Sequence, residues 1–342
     1  MAAKHPNIVL FTIDSLRRDH MSCYGYERLT TPHLDRLAAG GTLFENAFSA
    51  YIPTTPAFST LLTGCDVVRT QQPSLRPKGP IPEELPLLPA LLRPAGYRTV
   101  CVGFGSGFYR GFDTYLNFEG WVSWDERPAR KAGNLNAVVL PELERLARSS
   151  TPFLMLLRYL DPHAPYLPPA PFDTMFYSKN PCVRGNASMK PVFAFKPFAD
   201  FLRSWMPPGI TDKDFVIAQY DGGLAYMDAC IQQLVTRLEE LGLLENTLLV
   251  ITSDHGESLY DHEIYFDHHG LYEPTLSVPL IFYWPGRVPR SVRARAYTLH
   301  EDLVPTVLDV CGLKHLARGH RFDGKSNRRF FSDTAGSHRT EF

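Results

Sequence analysis

The sequence predicts an α/β fold with a central, mainly parallel sheet flanked by helices. Short, β-rich apolar segments at Asn7–Ile13, Thr99–Gly103, Phe153–Tyr159, Thr247–Thr252 and Pro279–Tyr283 read as strands buried on both faces. Helical periodicity recurs between several of them, the alternation that parallel crossovers need. Acidic residues directly follow two of the strands, at Asp14 and Asp254, where open α/β sheets bind ligands. With 342 residues, 44% of them hydrophobic, the chain can bury one large core. No repeat or composition break divides it, so residues 1–342 are read as a single domain.

In chain order, Asn7–Ile13 delivers Asp14 to a strand's C-terminal end. The segment Tyr51-Ile52-Pro53-Thr54-Thr55-Pro56 then leads into a helix: Pro56 suits the first helical residue, Phe58, Leu61 and Leu62 share one face, and Gly64 is a stop. Thr54 and Thr55 therefore stand at a helix N-terminus, where amides and the dipole can hold a tetrahedral anion; a plain cap at Thr55 is the simpler alternative. A helix over Leu135–Ala147 carries Glu142, Glu144, Arg145 and Arg148 on a solvated face. A longer one, from about Asp212 to Leu241, is marked by Ile217, Leu224, Met227, Ile231, Leu234 and Leu238. Its Asp212, Asp214 and Asp228 are read as caps or solvated groups. Pro-rich stretches at 73–94 and 162–171, and the segment 180–208, read as excursions that shape substrate entry rather than core.

The formal net charge of −1 supplies no field to recruit nucleic acid or an anionic membrane. No run approaches the ~18 apolar residues of a membrane span. The N-terminal segment lacks the h-region and cleavage site of a secretory leader, so the expectation is a cytoplasmic chain. Its six cysteines are scattered without metal-binding spacing, as free thiols would be.

The strongest local chemistry is Ile251-Thr252-Ser253-Asp254-His255-Gly256-Glu257, an acid and an imidazole in series after a buried strand. Asp14 occupies the same topological position after another strand, so Asp14, Asp254 and His255 can meet around one divalent cation. Mixed oxygen and nitrogen ligation favours manganese or zinc, with calcium or magnesium less well suited. Either carboxylate alone could equally cap a helix.

The run from Asp14 through Arg17, Asp19 and His20 to Tyr24-Gly25, then Thr31-Pro32-His33-Leu34-Asp35, resembles the N-terminal signature of the sulfatase family of the alkaline phosphatase superfamily. The likeness continues through Asp161-Pro162-His163-Ala164-Pro165-Tyr166, Ser253-Asp254-His255-Gly256-Glu257 and His268-His269-Gly270-Leu271-Tyr272-Glu273. It implies an alkaline-phosphatase-like fold, Asp14, Asp254 and His255 on a metal, a nucleophile at Thr54 that also touches the metal, and substrate-contacting catalytic roles for His163 and His268. Arg17 and Asp19 are explained at least as well by a supporting ion pair. Asp161, His163, Asp267, His268, His269 and His300 are candidates for a second metal set.

Several positions depart from the family pattern. Sulfatases carry a cysteine or serine where Thr54 stands, an arginine where Phe58 stands and a second aspartate where Ser15 stands. A threonine cannot become formylglycine, and Thr-x-Pro followed by Thr-Gly is similar to the nucleotide pyrophosphatase/phosphodiesterase branch, whose members form a phosphothreonine. The usual C-terminal subdomain looks truncated after Asp323-Gly324. The leading expectation is a metal-dependent hydrolase of small anionic phosphate esters, chiefly diesters, acting through a covalent Thr54 intermediate. The alternatives are a sulfuric ester hydrolase and a catalytically silent protein that keeps the fold.

Overall fold

The computed structural model describes residues 5–76, 79–104 and 110–336. The five expected strands pair in one sheet with three more: β1 (Asn7–Ile13), β2 (Thr42–Phe48), β3 (Arg98–Val102), β4 (Thr114–Leu116), β5 (Phe153–Tyr159), β6 (Thr247–Thr252), β7 (Ser277–Tyr283) and β8 (Val292–Leu299). Their order is β4-β3-β5-β1-β6-β7-β2-β8. Among the described strands only β7 runs against its neighbours, β6 and β2; the other pairings are parallel. Strand β1 is wholly buried and lies between β5 and β6.

Alternation along β1 divides the core in two. Val9, Phe11 and Ile13 face α3 (Lys131–Ala147) and α4 (Lys213–Glu240), whereas Ile8 and Leu10 face α2 (Thr54–Thr63) and α5 (Leu303–Val310). A strand covered by helices on both sides has no solvated face to spend on polar residues, which is why β1 reads as a continuous apolar run. Strands β2 and β8 escaped the sequence reading because Glu45 and Asn46 interrupt β2, and β8 alternates arginine with alanine as an edge strand does.

Four expectations need correction. In 162–171, Ala164, Tyr166 and Leu167 are buried in the core. Segment 180–208 is not a bare excursion: helices Lys190–Ala194 and Lys196–Trp205 bury Val192, Leu202 and Trp205 in the core. In 73–94, Leu87, Leu88, Leu91 and Leu92 are likewise buried; residues 77–78 lie outside the described ones. Asp228 is neither solvated nor a cap of its own helix. It is 1% exposed and accepts the His33 and Leu34 amides (2.8 Å each), capping α1 (Pro32–Ala39) from across the fold. Asp212 does cap α4, accepting from the Asp214 amide. No helix among the described residues is long and apolar enough to cross a membrane.

Candidate active site

Because β1 and β6 are parallel neighbours with Thr12 opposite Thr252, their C-terminal ends finish side by side. Ser253 ties the two ends together. Its hydroxyl oxygen accepts the Leu16 amide at 3.0 Å and lies against the Ile13 and His255 carbonyls. Gly256 lets the backbone of Pro274 pass, since a Cβ there would lie 1.9 Å from the Pro274 carbonyl oxygen. Ser15 adopts a positive φ of 64°, its amide donating to Asp254 Oδ1 at 3.3 Å and its hydroxyl to Asp14 Oδ1 at 3.1 Å. Asp14 and Asp254 thus cap no helix.

Asp14, Asp254 and His255 are each fully buried, and their ligand atoms lie within 4.8 Å of one another. His255 Nδ1 bonds the Gly256 carbonyl at 2.9 Å, which turns Nε2 inward, 3.4 Å from Asp254 Oδ2 and 3.8 Å from Asp14 Oδ1. Thr54 Oγ1 stands 3.4 Å from the same Nε2. These spacings match the roughly 3.4 Å between ligands held about 2.1 Å from one tetrahedral ion. Asp254 Oδ2 is buried without a hydrogen-bond partner, a costly arrangement that a cation would relieve. The donor set therefore fits a divalent cation.

Charge follows the same geometry. Burial raises the Asp254 carboxyl well above its ordinary range, and the adjacent Asp14 charge adds to the effect. Burial also opposes ionisation of Asp14, but the Arg158 guanidinium, then His163 and His255, overcome it and hold Asp14 well below the carboxylate range. Burial pushes His255 down to about 4.

The helix bearing Thr54 starts at that residue, with Pro53 as its N-cap, rather than at Pro56, and Gly64 closes it in the left-handed conformation. Thr55 is not the N-cap. Its hydroxyl donates instead to the Leu75 carbonyl at 2.8 Å. His163 and His268 are brought together, their ring centroids 5.3 Å apart, and His268 lies 4.4 Å from His255. Their surroundings make them unlike: burial drives His163 down to about 3, whereas Glu257 and Asp267 outweigh burial and lift His268 to about 9. His163 Nδ1 bonds the Ala164 carbonyl at 2.8 Å, leaving Nε2 as the acceptor of a neutral ring.

A family model, Sulfatase, matches residues 6–313. The chain belongs to the sulfatase family. It is 25% identical over 333 residues to human iduronate 2-sulfatase, covering 82% of this chain and 60% of that protein. It is 27% identical over 370 residues to an arylsulfatase of Clostridium perfringens, covering 89% and 74%. The phosphonate monoester hydrolase of Agrobacterium radiobacter superposes with a TM-score of 0.76 at 21% identity, over 97% of this chain and 78% of that one, and shares its fold. The chain spans about 60% of the length of the human and mouse iduronate 2-sulfatases.

Against the sulfatase pattern, the structure sorts the remaining expectations. Arg17 does support the strand end, pairing with Asp19 at 2.7 Å and with Asp261 at 2.6 Å. Asp267 and His268 group with Glu257 in a second cluster whose ligand atoms lie within 4.8 Å. Asp161 and His300 do not join it: Asp161 accepts the Ala132 amide, and His300 bonds the Ser253 carbonyl. Two site residues escaped the sequence reading. Lys131, 2% exposed, donates to the carbonyls of Leu160 (3.0 Å), His163 (2.6 Å) and Pro165 (3.0 Å) and so clamps the loop that carries His163. Arg158, on β5, reaches Asp14 Oδ2 through Nε at 2.9 Å and through a second guanidinium nitrogen. A lysine opening a helix and an arginine ending a strand carry no motif, so only the fold exposes them.

Proposed function

We propose that this chain is a metal-dependent hydrolase of small anionic esters, with phosphate diesters as substrates and Thr54 as nucleophile. The observation that carries the reading is the placement of the Thr54 hydroxyl on the inward nitrogen of His255, beside two buried carboxylates. Asp14, Asp254, His255 and Thr54 would hold the ion, manganese or zinc by the mixed donor set, and a bound cation would lower the Thr54 hydroxyl pKa so that it gives up its proton to solvent and attacks as the alkoxide.

In the first step Thr54 Oγ1 bonds to phosphorus while the bond to one ester oxygen breaks. The departing alkoxide takes a proton from His268, which Glu257 keeps protonated at neutral pH. In the second step neutral His163 accepts a proton from water as the water oxygen bonds to phosphorus and the bond to Thr54 breaks. Thr54 leaves as the alkoxide that attacked, a phosphate monoester is released, and the proton on His163 passes to His268, whose ring centroid lies 5.3 Å away, so that both imidazoles are restored. The two imidazoles are thereby set to opposite duties by their neighbours.

Hydrolysis of sulfate esters is the second reading, favoured by likeness to iduronate 2-sulfatase and an arylsulfatase. Parallel assays of a chromogenic phosphodiester, phosphonate monoester and sulfate ester, each with manganese or zinc, decide between them. A sulfate ester turned over faster than its phosphate counterpart rejects the phosphodiester assignment.

A further inference from the structure

Arg158 enters the site from an element the family signature does not mark. It stands opposite Thr12 on the neighbouring strand β1, two positions before Asp14, and its side chain is 17% exposed. Its guanidinium lies 4.7 Å from the Phe104 ring and 6.0 Å from the Phe58 ring, and these two rings meet edge to face at 4.6 Å. Phe58, on the nucleophile's own helix, is the position where the family pattern expects an arginine. Here that position is aromatic, and a guanidinium from β5 lies against it. Gly103 makes room for the arginine stem, since a Cβ at this positive-φ position would sit 3.0 Å from Arg158 Cβ.

We propose that Arg158 is a positioning residue that holds one oxygen of Asp14 and sets the charge with which the site meets an anion. The proposal rests on reading Asp14, Asp254 and His255 as a cation site. With both nitrogens on Oδ2, Arg158 leaves Oδ1 as the oxygen Asp14 turns toward His255 Nε2, so Asp14 serves the cation through a single oxygen. Once a cation has displaced the Asp254 proton, two carboxylates and one guanidinium carry a single negative charge around a neutral His255. A divalent ion makes the set singly positive, and an ionised Thr54 oxygen brings it to neutrality. Without Arg158 the same state is negative and repels the ester. A guanidinium suits this duty because it stays charged at any working pH and stacks on aromatic faces.

The test uses the full chain, folded by circular dichroism, with manganese and inorganic phosphate as probes in calorimetric titrations. Arg158→Gln is expected to bind manganese about tenfold more tightly, because a fixed positive neighbour is gone, and to bind phosphate in the presence of manganese about tenfold more weakly. Turnover should show the loss mainly in KM. Arg158→Lys, which keeps the charge, should hold both affinities within about threefold of the parent. Unchanged manganese and phosphate affinities in Arg158→Gln overturn the proposal alone, as does a lysine variant as impaired as the glutamine one. A parent chain that takes up no manganese overturns it together with the cation-site reading.

Discussion

Thr54 Oγ1 stands 3.4 Å from His255 Nε2, although the two residues are 201 positions apart in the chain. Each comes from a different wall: Thr54 from the first turn of a helix packed on one face of the sheet, His255 from the loop after a central strand. Thr54→Ala should therefore cut turnover of a chromogenic phosphodiester by about 10³-fold or more, while Thr54→Ser, which keeps the hydroxyl, should stay within about tenfold. Thermal unfolding of both should match the parent closely. Full activity in Thr54→Ala removes the covalent route.

Asp254 is a buried carboxyl whose ionisation the apo fold opposes. Its folded value lies above the unfolded one, so its contribution to stability is lost as pH rises from 3.8 through the raised value. Asp254→Asn should consequently stabilise the metal-free protein by about 1–3 kcal/mol at pH 7 and less near pH 4. The same variant should lose the stabilisation that added manganese gives the parent. Denaturant melts with and without the ion, at both pH values, read out all four cases.

His268 carries a linkage of the same sign in a higher pH window. Its value is raised from 6.5 to about 9, so the stability it contributes is fully present below pH 6.5 and disappears as pH climbs through 9. Asp161 and Lys131 also titrate anomalously, at about 7 and about 8, so the comparison is between the parent and His268→Gln. The stability gap between them should narrow across pH 6.5–9 in the metal-free protein. A gap that does not vary with pH shows that the Glu257–His268 pair carries no net charge exchange.

Lys131 is expected to matter for stability and for rate together. Replacing it with methionine takes the ammonium donor from three carbonyl groups, of which that of Leu160 keeps the His163 amide, and leaves Asp161 without its countercharge, which should cost about 3 kcal/mol in urea unfolding. Because those carbonyls belong to the loop that orients His163, kcat should also fall in the protein that remains folded. Unchanged stability would assign the clamp no weight.

Much of the fold was legible in the residues because burial on two faces leaves a one-dimensional trace. Strands β1, β5 and β6 are uninterrupted apolar runs, and α4 repeats its apolar positions at three- and four-residue intervals. The site was legible where a carboxylate ends a buried strand, as at Asp14 and Asp254, since strand ends in such sheets collect ligands. Edge strand β8, half-exposed and arginine-rich, left no comparable trace.

The sequence by itself determined which groups could act: two acids, an imidazole and a hydroxyl at a helix start. Tertiary structure alone decided their electrical state. Arg158 reaches Asp14 from 144 positions away, Glu257 turns toward His268, and Lys131 threads under the loop of His163. Identical residue types thereby diverge, with Asp14 held ionised and Asp254 held neutral, and with His163 neutral and His268 charged. The physical reason is that burial and the field of nearby charges fix a proton's affinity, and both depend on which strands and loops the fold sets side by side rather than on which residues adjoin in the chain.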